Sequence, residues 1–303
     1  MLRFAAVGKT YRGGSSPAVG NVTFDVQPGE IVGLVGLNGA GKTTLLRMAA
    51  GLLLPSQGTV YVEGHDVARD KRAGSRQIGW VPDLPIFPPR TPLFDTLGYL
   101  AGYYAGEAGS ANDRRALLTA VGLGPQERAL YSTLSQGMKK RFAVATSMLG
   151  QPSNYLLDEL LNGLDPEWIR WARDWMAGLR QRGAAILLSS HLLGELEGIA
   201  DRYAFIHQGQ LIGVVPRGAI GQHLPPRFLV RLANPNDAVL AVLAGFGEVF
   251  LDQQVIRIEG PRVPPEAVTI ELNRRGYIIQ EFRVEEPNLE EFFFHLIAQV
   301  RAQ

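Results

Sequence analysis

The most informative segment of the sequence is Gly36-Leu37-Asn38-Gly39-Ala40-Gly41-Lys42-Thr43-Thr44. It follows the apolar run 31–35, which is typical of a buried strand, and leads into the helix-like run 45–50. The spacing G-x-x-x-x-G-K-[ST] in this context is typical of a phosphate-binding loop, where backbone N–H groups and a helix N-terminus surround an anion. The segment therefore predicts a nucleoside triphosphate site. An ordinary glycine-rich turn is the alternative, and the complete spacing argues against it.

Length and composition restrict the classes of protein to which the chain can belong. Its 303 residues allow one large and one smaller domain, and 30 Lys and Arg against 29 Asp and Glu predict no binding of nucleic acid. The lack of cysteine excludes disulfides and cysteine nucleophiles. We find no signal peptide and no apolar stretch near the ~20 residues that span a bilayer. We therefore expect a soluble chain that needs a separate partner for any role at a membrane.

The alternation of apolar strands with helices predicts an α/β fold with a mixed, largely parallel sheet. The first domain is expected to cover residues 1–215. Alternating short strands near the N-terminus indicate an antiparallel subdomain, and residues 84–150 are expected to form a mainly helical subdomain. Residues 58–62 and 78–81 are expected to form a strand pair.

The remaining sequence predicts a second, smaller domain. Residues 216–226 contain prolines and glycines without a clear period, which suits a linker. Residues 227–303 then form a small α+β domain in this interpretation. The predicted order of its elements is strand, helix, strand, strand, helix and strand, followed by a final helix, and this order suggests a ferredoxin-like arrangement.

Asp158 and Glu159 end an apolar strand, at the position where parallel-sheet proteins carry their ligand-binding groups. Phosphoryl transfer needs a carboxylate to hold Mg²⁺ and a second group to position the attacking water. Asp158 suits the first role and Glu159 the second. An acidic pair that merely ends a strand is the alternative, but here the pair follows a complete phosphate-binding loop.

The order of the motifs resembles the ATP-binding cassette of ABC transporters, a P-loop NTPase fold, over roughly residues 1–215. Leu134-Ser135-Gln136-Gly137-Met138 is similar to the family signature LSGGQ, and Leu164-Asp165-Pro166 is similar to its D-loop. His191 matches the switch histidine, and Tyr11 matches the aromatic residue that stacks on adenine. Taken singly, these residues could be a helix cap, a buried histidine or a core tyrosine. The order of the whole series favours the resemblance.

The resemblance implies an ATPase that binds ATP and Mg²⁺ and pairs with a second ATP-binding subunit. It would lie on the cytoplasmic face of the membrane and drive a separate transmembrane permease subunit. The resemblance assigns catalysis to Glu159 and His191. The implied Mg²⁺ ligands are Thr43, Asp83 and Asp158. The implied contacts with ATP are Tyr11, Gly36, Leu37, Asn38, Gly39, Ala40, Gly41, Lys42, Thr43 and Thr44. The contacts from the second copy are Ser135, Gln136, Gly137 and Asp165.

The sequence departs from the family pattern at functional positions. Asp83 stands where the family has its Q-loop glutamine, and a carboxylate can bind a cation but cannot donate a hydrogen bond as an amide does. Gln136 replaces the first glycine of the signature, and Leu160 replaces the usual proline after the acidic pair. These departures bear on the rate of hydrolysis. They leave a poorly hydrolysing member of a heterodimer as an alternative to a homodimer.

Further segments indicate the direction of transport and the surface that binds the membrane subunit. The tail 286–293 and the pair Met138-Lys139 resemble the export branch of the family, which serves drug, antibiotic and polymer exporters. An importer ATPase and a soluble ABC-type ATPase that acts on ribosomes or DNA are the alternatives.

Residues 84–106 are rich in aromatic side chains, Phe87 among them. Some of these should form a groove for a helix of the membrane subunit, and packing within the subdomain is the alternative.

Overall fold

The computed structural model describes residues 1–13, 16–104 and 110–301 of the chain. The chain divides into two compact units, Met1–Val215 and Pro216–Gln303. Strands and a cluster of buried apolar side chains occur in each unit. Over the described ranges, no helix has both the length and the apolar character that crossing a membrane requires.

The central sheet of the first unit is mainly parallel. The strands of this unit are β1 (Leu2–Lys9), β2 (Val19–Val26), β3 (Ile31–Val35), β4 (Gln57–Val62), β5 (His65–Asp66), β6 (Ile78–Val81), β7 (Asn154–Asp158), β8 (Ala185–Ser190), β9 (Arg202–His207) and β10 (Gln210–Pro216). The central sheet has the order β10-β9-β3-β8-β7-β6, and its neighbours from β9 to β6 are parallel. Every residue of β3, β7 and β8 is buried, as expected for parallel strands covered on both faces.

The register of these strands brings the predicted motifs to one edge. Val35, at the end of β3, pairs with Ser190, and Asp158, at the end of β7, pairs with Ser189. The segments that begin at Gly36, Glu159 and His191 therefore all start at the carboxyl ends of adjacent strands. Ligand sites of open parallel sheets lie at this edge.

The second sheet of the first unit is antiparallel, with the order β2-β1-β4-β5. The prediction that residues 58–62 pair with residues 78–81 is wrong. β4 pairs with β1, whereas β6 joins the central sheet beside β7. The short β5 turns back onto β4 and takes the place that the sequence analysis gave to residues 78–81. β6 is apolar along its length, which suits a buried parallel strand.

Helices cover the central sheet and form the segment predicted as helical. They are α1 (Lys42–Ala49), α2 (Lys71–Arg76), α3 (Leu93–Ala101), α4 (Ala111–Ala120), α5 (Gln136–Ser147), α6 (Pro166–Gln181) and α7 (Leu193–Leu196), with 3₁₀ turns at Gly102–Tyr104, Gly124–Gln126 and Tyr131–Thr133. The side chain of Ser135 caps α5 by accepting a hydrogen bond from the N–H of Met138, and Asp165 caps α6 in the same way through Trp168. Local cap chemistry thus explains where both helices begin.

Phe87 packs within the helical segment. Its ring meets Tyr131 and Phe142 edge-on, at centroid distances of 5.3 and 5.0 Å, and both partners are buried. Edge-to-face contacts of this kind stabilise a core. Phe87 is therefore a packing residue, and the alternative of internal packing describes it better than the expected groove. Among residues 84–104, the exposed large apolar side chains are Leu84, Ile86, Tyr99 and Tyr103.

The second unit has one antiparallel sheet of four strands, with the order β12-β13-β11-β14. Its elements in chain order are α8 (Ile220–His223), β11 (Arg227–Leu232), α9 (Asp237–Leu243), β12 (Glu248–Asp252), β13 (Val255–Glu259), α10 (Pro265–Arg274), β14 (Ile279–Glu285) and α11 (Leu289–Arg301). Apolar residues of α9 and α10 pack with alternate residues of β11 and β13 to form the core of this unit. Residues 217–223, inside the expected linker, form a 3₁₀ turn and α8, which no periodicity had indicated.

Candidate functional site

The loop of residues 36–44 joins β3 to α1, and close packing explains its glycines. A Cβ on Gly36 would lie 2.5 Å from the carbonyl oxygen of Ile206. Gly41 has a φ of 107°, which L side chains rarely adopt, and a Cβ there would lie 2.7 Å from the carbonyl oxygen of Ala18. The loop leads directly into the N-terminus of α1, whose unpaired N–H groups attract anions.

A cleft of about 460 Å³ opens over this loop. Its size is that of a small-molecule site, and most of its lining is polar. The lining residues are Ala18, Asn38, Gly39, Ala40, Gly41, Lys42, Thr43, Thr44, Asp83, Glu159, Asn162 and His191. The structure therefore brings the end of the phosphate-binding loop together with Asp83, Glu159 and His191, which are distant in sequence.

Glu159 joins the polar side chains at the base of the cleft. Its Oε1 lies 3.5 Å from Nζ of Lys42, and its Oε2 lies 2.7 Å from Nδ1 of His191. A carboxylate only accepts hydrogen bonds, so Nδ1 of His191 carries a proton in this contact. The ammonium of Lys42 also donates to the carbonyl oxygen of Gly36 at 2.7 Å. The carboxylate of Glu159 is thus oriented from two sides, as a group that accepts a proton from water must be.

Asp158 lies deeper than Glu159, with only 1% of its surface exposed. Its Oδ1 accepts a hydrogen bond of 2.7 Å from Oγ of Ser189. Burial raises the pKa of Asp158, and the nearby carboxylates Glu159 and Asp83 raise it further, although hydrogen bonds with the side chains of Ser189 and Thr43 lower it. The net shift is upward. A buried carboxylate of this kind gains stability when a cation lies beside it.

Thr43 and Asp158 together offer oxygen ligands that fit Mg²⁺. The hydroxyl of Thr43 lies close enough to Asp158 to lower the pKa of its carboxyl group, so the two groups are neighbours at the start of α1. Mg²⁺ prefers oxygen ligands, and proteins hold it through one or two carboxylates together with substrate phosphates. Across the described residues, no group of three or more His, Asp and Glu side chains is arranged as a metal site. The oxygens of Thr43 and Asp158 are of the type that holds this ion together with substrate phosphates.

Asp83 lies at the cleft but already has a cationic partner. Its Oδ1 lies 3.3 Å from Nζ of Lys140, and 42% of its side chain is exposed. The same ammonium donates to the carbonyl oxygens of Glu159 and Asn162. The predicted role of Asp83 as a ligand of Mg²⁺ therefore stays a prediction, and the contact that the structure gives it is an ion pair.

The residues predicted to contact ATP from a second copy lie at the starts of α5 and α6. Ser135 and Gln136 are exposed, and Asp165 forms an ion pair of 3.2 Å with Arg141 of α5. A Cβ on Gly137 would lie 4.0 Å from the carbonyl oxygen of Gly163, so the space before it is open. These residues are separate from the described lining of the cleft in their own chain.

Tyr11 lies beside the end of the phosphate-binding loop. Its hydroxyl is 3.3 Å from Oγ1 of Thr44, and 43% of the residue is exposed. An exposed ring next to the loop is available for stacking on a planar base. The structure thus gives Tyr11 a place near the predicted site, next to the loop residues at 36–44.

The residues of the site that were not identified from the sequence include two that contact the acidic pair, Ser189 and Lys140. Ser189 bonds to the Asp158 carboxylate and, through its Oγ, accepts from the N–H of Glu159 at 3.1 Å. Lys140 lies in the basic run Lys139-Lys140-Arg141, which follows the signature segment. A signal for Ser189 existed, because it is a polar residue at the end of a buried strand next to the one that ends in Asp158. No local pattern distinguishes Lys140 from Lys139.

Comparisons with known proteins agree with this geometry. Residues 19–162 match the family model described as ABC transporter. The bacitracin transport ATP-binding protein BcrA of Bacillus licheniformis is 30% identical over 289 residues, which cover 94% of each chain. The linearmycin resistance ATP-binding protein LnrL of Bacillus subtilis (strain 168) is 27% identical over 98% of each chain.

A solved structure is similar as well. The structure of an ATP-binding subunit of an ABC transporter is 30% identical to this chain and superposes with a TM-score of 0.68. The match covers 74% of this chain and 92% of that one. The prediction of the cassette fold, with its mixed, largely parallel sheet, is confirmed by this likeness.

Proposed function

Because the chain belongs to the ABC transporter family, in which it is an ATP-binding subunit with ATPase chemistry, we propose that it hydrolyses ATP to drive export through a separate transmembrane permease subunit. The observation that carries this proposal is the position of Glu159 between Lys42 and His191 in the cleft above the phosphate-binding loop. Hydrolysis of a terminal phosphate requires a positioned water and compensation of negative charge, and this arrangement supplies groups for both.

Each side chain of the cleft has a separate task in the proposed reaction. Lys42 and the N–H groups at the start of α1 bind the β- and γ-phosphates. Glu159 orients the attacking water and accepts its proton, while His191 keeps the carboxylate in position through its Nδ1–H. Thr43 and Asp158 would hold Mg²⁺, which would compensate negative charge on the phosphates. Tyr11 stacks on the adenine.

The signature residues support a site shared between two chains. Ser135 and Gly137 lie at the N-terminus of α5, where a helix attracts phosphate, yet they are separate from the cleft of their own chain. We propose that Ser135, Gln136, Gly137 and Asp165 of each copy close over the ATP bound to residues 36–44 of the other copy. Two sites of one kind then form in a homodimer.

Purified chain alone tests whether such a homodimer hydrolyses ATP. We expect phosphate release that requires Mg²⁺, falls to background when EDTA removes the ion, and returns when Mg²⁺ is restored, because an ion held by Thr43 and Asp158 would compensate negative charge on the terminal phosphates. The measurement is the steady-state rate of phosphate release. A chain that binds ATP but releases no phosphate in the presence of Mg²⁺ would contradict the homodimer and support a heterodimeric transporter.

A surface of four apolar side chains is the proposed contact with the permease subunit. It consists of Leu84, Ile86, Tyr99 and Tyr103, which are between 61% and 88% exposed. Leu84 directly follows Asp83, which lines the cleft, and Ile86 lies two residues further on, so a contact here has a short covalent path to the site. A helix with an apolar face fits such a surface. We propose that this exposed set, rather than Phe87, receives the helix of the membrane subunit.

The variant Ile86→Asp should separate transport from hydrolysis. A charge at the most exposed apolar position should lower co-purification of the permease subunit by roughly tenfold, as expected for the loss of a central contact, while phosphate release by the purified chain stays within about twofold. Leu52→Asp, which alters another exposed leucine of the same unit, is the matched control. Retention of the permease subunit by Ile86→Asp at the parental level would remove this surface from the proposal.

The second unit supports the export branch of the family. Its strand order β12-β13-β11-β14, with α9 and α10 on one face, is the order expected of a ferredoxin-like sandwich, and we propose that classification for residues 227–303. The relatives named for bacitracin transport and linearmycin resistance match the chain over nearly all of its length. Export of an antibiotic-like compound from the cytoplasmic face of the membrane follows as the proposed role, with the cassette at residues 1–215.

A further inference from the structure

The ammonium of Lys140 is enclosed beneath the loop that follows β7. Only 10% of this side chain is exposed. Its Nζ donates to the carbonyl oxygen of Glu159 at 2.5 Å and to that of Asn162 at 2.8 Å, and it lies 3.3 Å from Oδ1 of Asp83. Burying a cation is unfavourable unless it is paired and hydrogen-bonded, and these partners meet that requirement.

One of these partners is the peptide group of a strained residue. Glu159 has a φ of 50°, in the left-handed region that residues other than glycine rarely adopt, and such strain is retained only where surrounding contacts enforce it. The N–H of Glu159 bonds to Ser189, and its carbonyl oxygen bonds to Lys140. The backbone of Glu159 is therefore held on both sides, by β8 at the N–H and by α5 at the carbonyl.

This backbone conformation decides where the carboxylate of Glu159 points. From the left-handed position, Oε1 lies near Lys42 and Oε2 bonds to Nδ1 of His191. If the carbonyl oxygen lost its partner, the peptide could rotate toward a more common φ, and the carboxylate would leave these contacts. A displacement of about 1 Å in a reacting group is enough to reduce a rate by on the order of 10²-fold.

We propose that Lys140 is a positioning residue for ATP hydrolysis, which acts through the Glu159 carbonyl and uses Asp83 as its counterion; the proposal rests on the proposed role of Glu159. This role of Lys140 also explains why an aspartate, Asp83, replaces the Q-loop glutamine of the family. An acidic residue at that position compensates the buried ammonium, which a glutamine could not do. It also joins α5, which begins next to Ser135, to the residue that orients the water.

The test compares Lys140→Met with Lys139→Met. Methionine keeps the length of the side chain and removes the charge and the donors, and Lys139 lies on the same helix with its ammonium over the ring of Tyr131. We expect Lys140→Met to lower kcat by on the order of 10²-fold, with KM and the Kd for ATP within about threefold of the parent. Lys139→Met should keep kcat within about twofold. The Kd, measured by titration without turnover, reports whether the ATP site is intact.

A double variant distinguishes positioning from a general structural role. In the background of Glu159→Gln, adding Lys140→Met should leave the residual single-turnover rate unchanged within about twofold, because the group that Lys140 positions has already been removed. A further fall as large as that in the parental background would overturn the proposal, and so would a parental kcat for Lys140→Met. Parallel loss of kcat and of ATP affinity would also overturn it.

A second substitution keeps the test decisive if Lys140→Met does not fold. Lys140→Gln retains a hydrogen-bond donor but no charge, and it should lower kcat by roughly tenfold with KM unchanged, as expected for loss of a charge-assisted hydrogen bond. A parental kcat for this variant would contradict the proposal. Hydrolysis at the parental rate by Glu159→Gln would instead contradict the proposed role of Glu159, so the two failures give different results.

Discussion

A Glu159→Gln variant should bind ATP with nearly parental affinity and lose hydrolysis by ~10²–10⁴-fold, the usual contribution of a positioned base. The amide keeps the size of the side chain but cannot take a proton from water. The contacts of the loop with phosphate are unchanged by this substitution, since they come from Lys42 and the start of α1. Steady-state phosphate release and a separate ATP titration measure the two effects.

The same variant should accumulate as a closed dimer. ATP would still join the loop of one copy to Ser135 and Gly137 of the other, while the hydrolysis that reopens the dimer is blocked. Size-exclusion chromatography should show a dimer peak with Mg-ATP and a monomer peak with Mg-ADP. Glu248→Gln, an exposed position on β12 of the second unit, is the matched control and should behave as the parent.

Other outcomes for Glu159→Gln would change the proposal in specific ways. A variant that stays monomeric and hydrolyses ATP at the parental rate would remove Glu159 from the mechanism. A variant that stops hydrolysing but never dimerises would indicate that the closing partner is a different chain. The pair formed by Asp83 and Lys140 would then be the first contact to examine in this chain.

A Lys42→Ala variant should lose most of the affinity for ATP. Lys42 is 6% exposed, and its ammonium lies where the terminal phosphates are expected, bonded to the Gly36 carbonyl and 3.5 Å from Glu159. A hydrogen bond to a charged group contributes about 1.5–3 kcal/mol, which corresponds to roughly 10- to 150-fold in Kd. Removal of the ammonium also leaves the Glu159 carboxylate without a cation and so adds repulsion toward phosphate.

Isothermal titration with ATP checks this result for Lys42. Lys71→Ala, an exposed lysine at the start of α2, is the control and should bind ATP as the parent does. If Lys42→Ala bound ATP as tightly as the parent while remaining folded, the ATP site would lie elsewhere in the chain. Its thermal unfolding curve, compared with that of the parent, reports whether the fold is intact.

Short segments with a characteristic spacing were informative without any knowledge of the fold. The role of residues 36–44 can be predicted from the local sequence, because the loop, the strand before it and the helix after it are adjacent in the chain. The acidic pair at 158–159 was informative for the same reason, since the apolar strand β7 ends there. The caps at Ser135 and Asp165 are local as well, and they coincide with the starts of α5 and α6.

Contacts between segments that are distant in sequence could not be predicted from short motifs. β6 was expected beside residues 58–62, which precede it closely in sequence, but it pairs with β7, more than 70 residues later. The aromatic residues near Phe87 in sequence suggested that it belongs to a surface groove. Its actual neighbours, Tyr131 and Phe142, come from elsewhere in the helical segment.

The sequence by itself therefore determined the class of ligand, the α/β architecture and the residue types of the site, since each depends on residues that are close in the chain. Only the tertiary structure decided which groups act on one another. Lys140 reaches Glu159 and Asp83 because α5 packs against β6, and Lys139, one residue earlier, points to the ring of Tyr131 instead. Adjacent residues on a helix face different directions, and the packing of that helix selects which one enters the site.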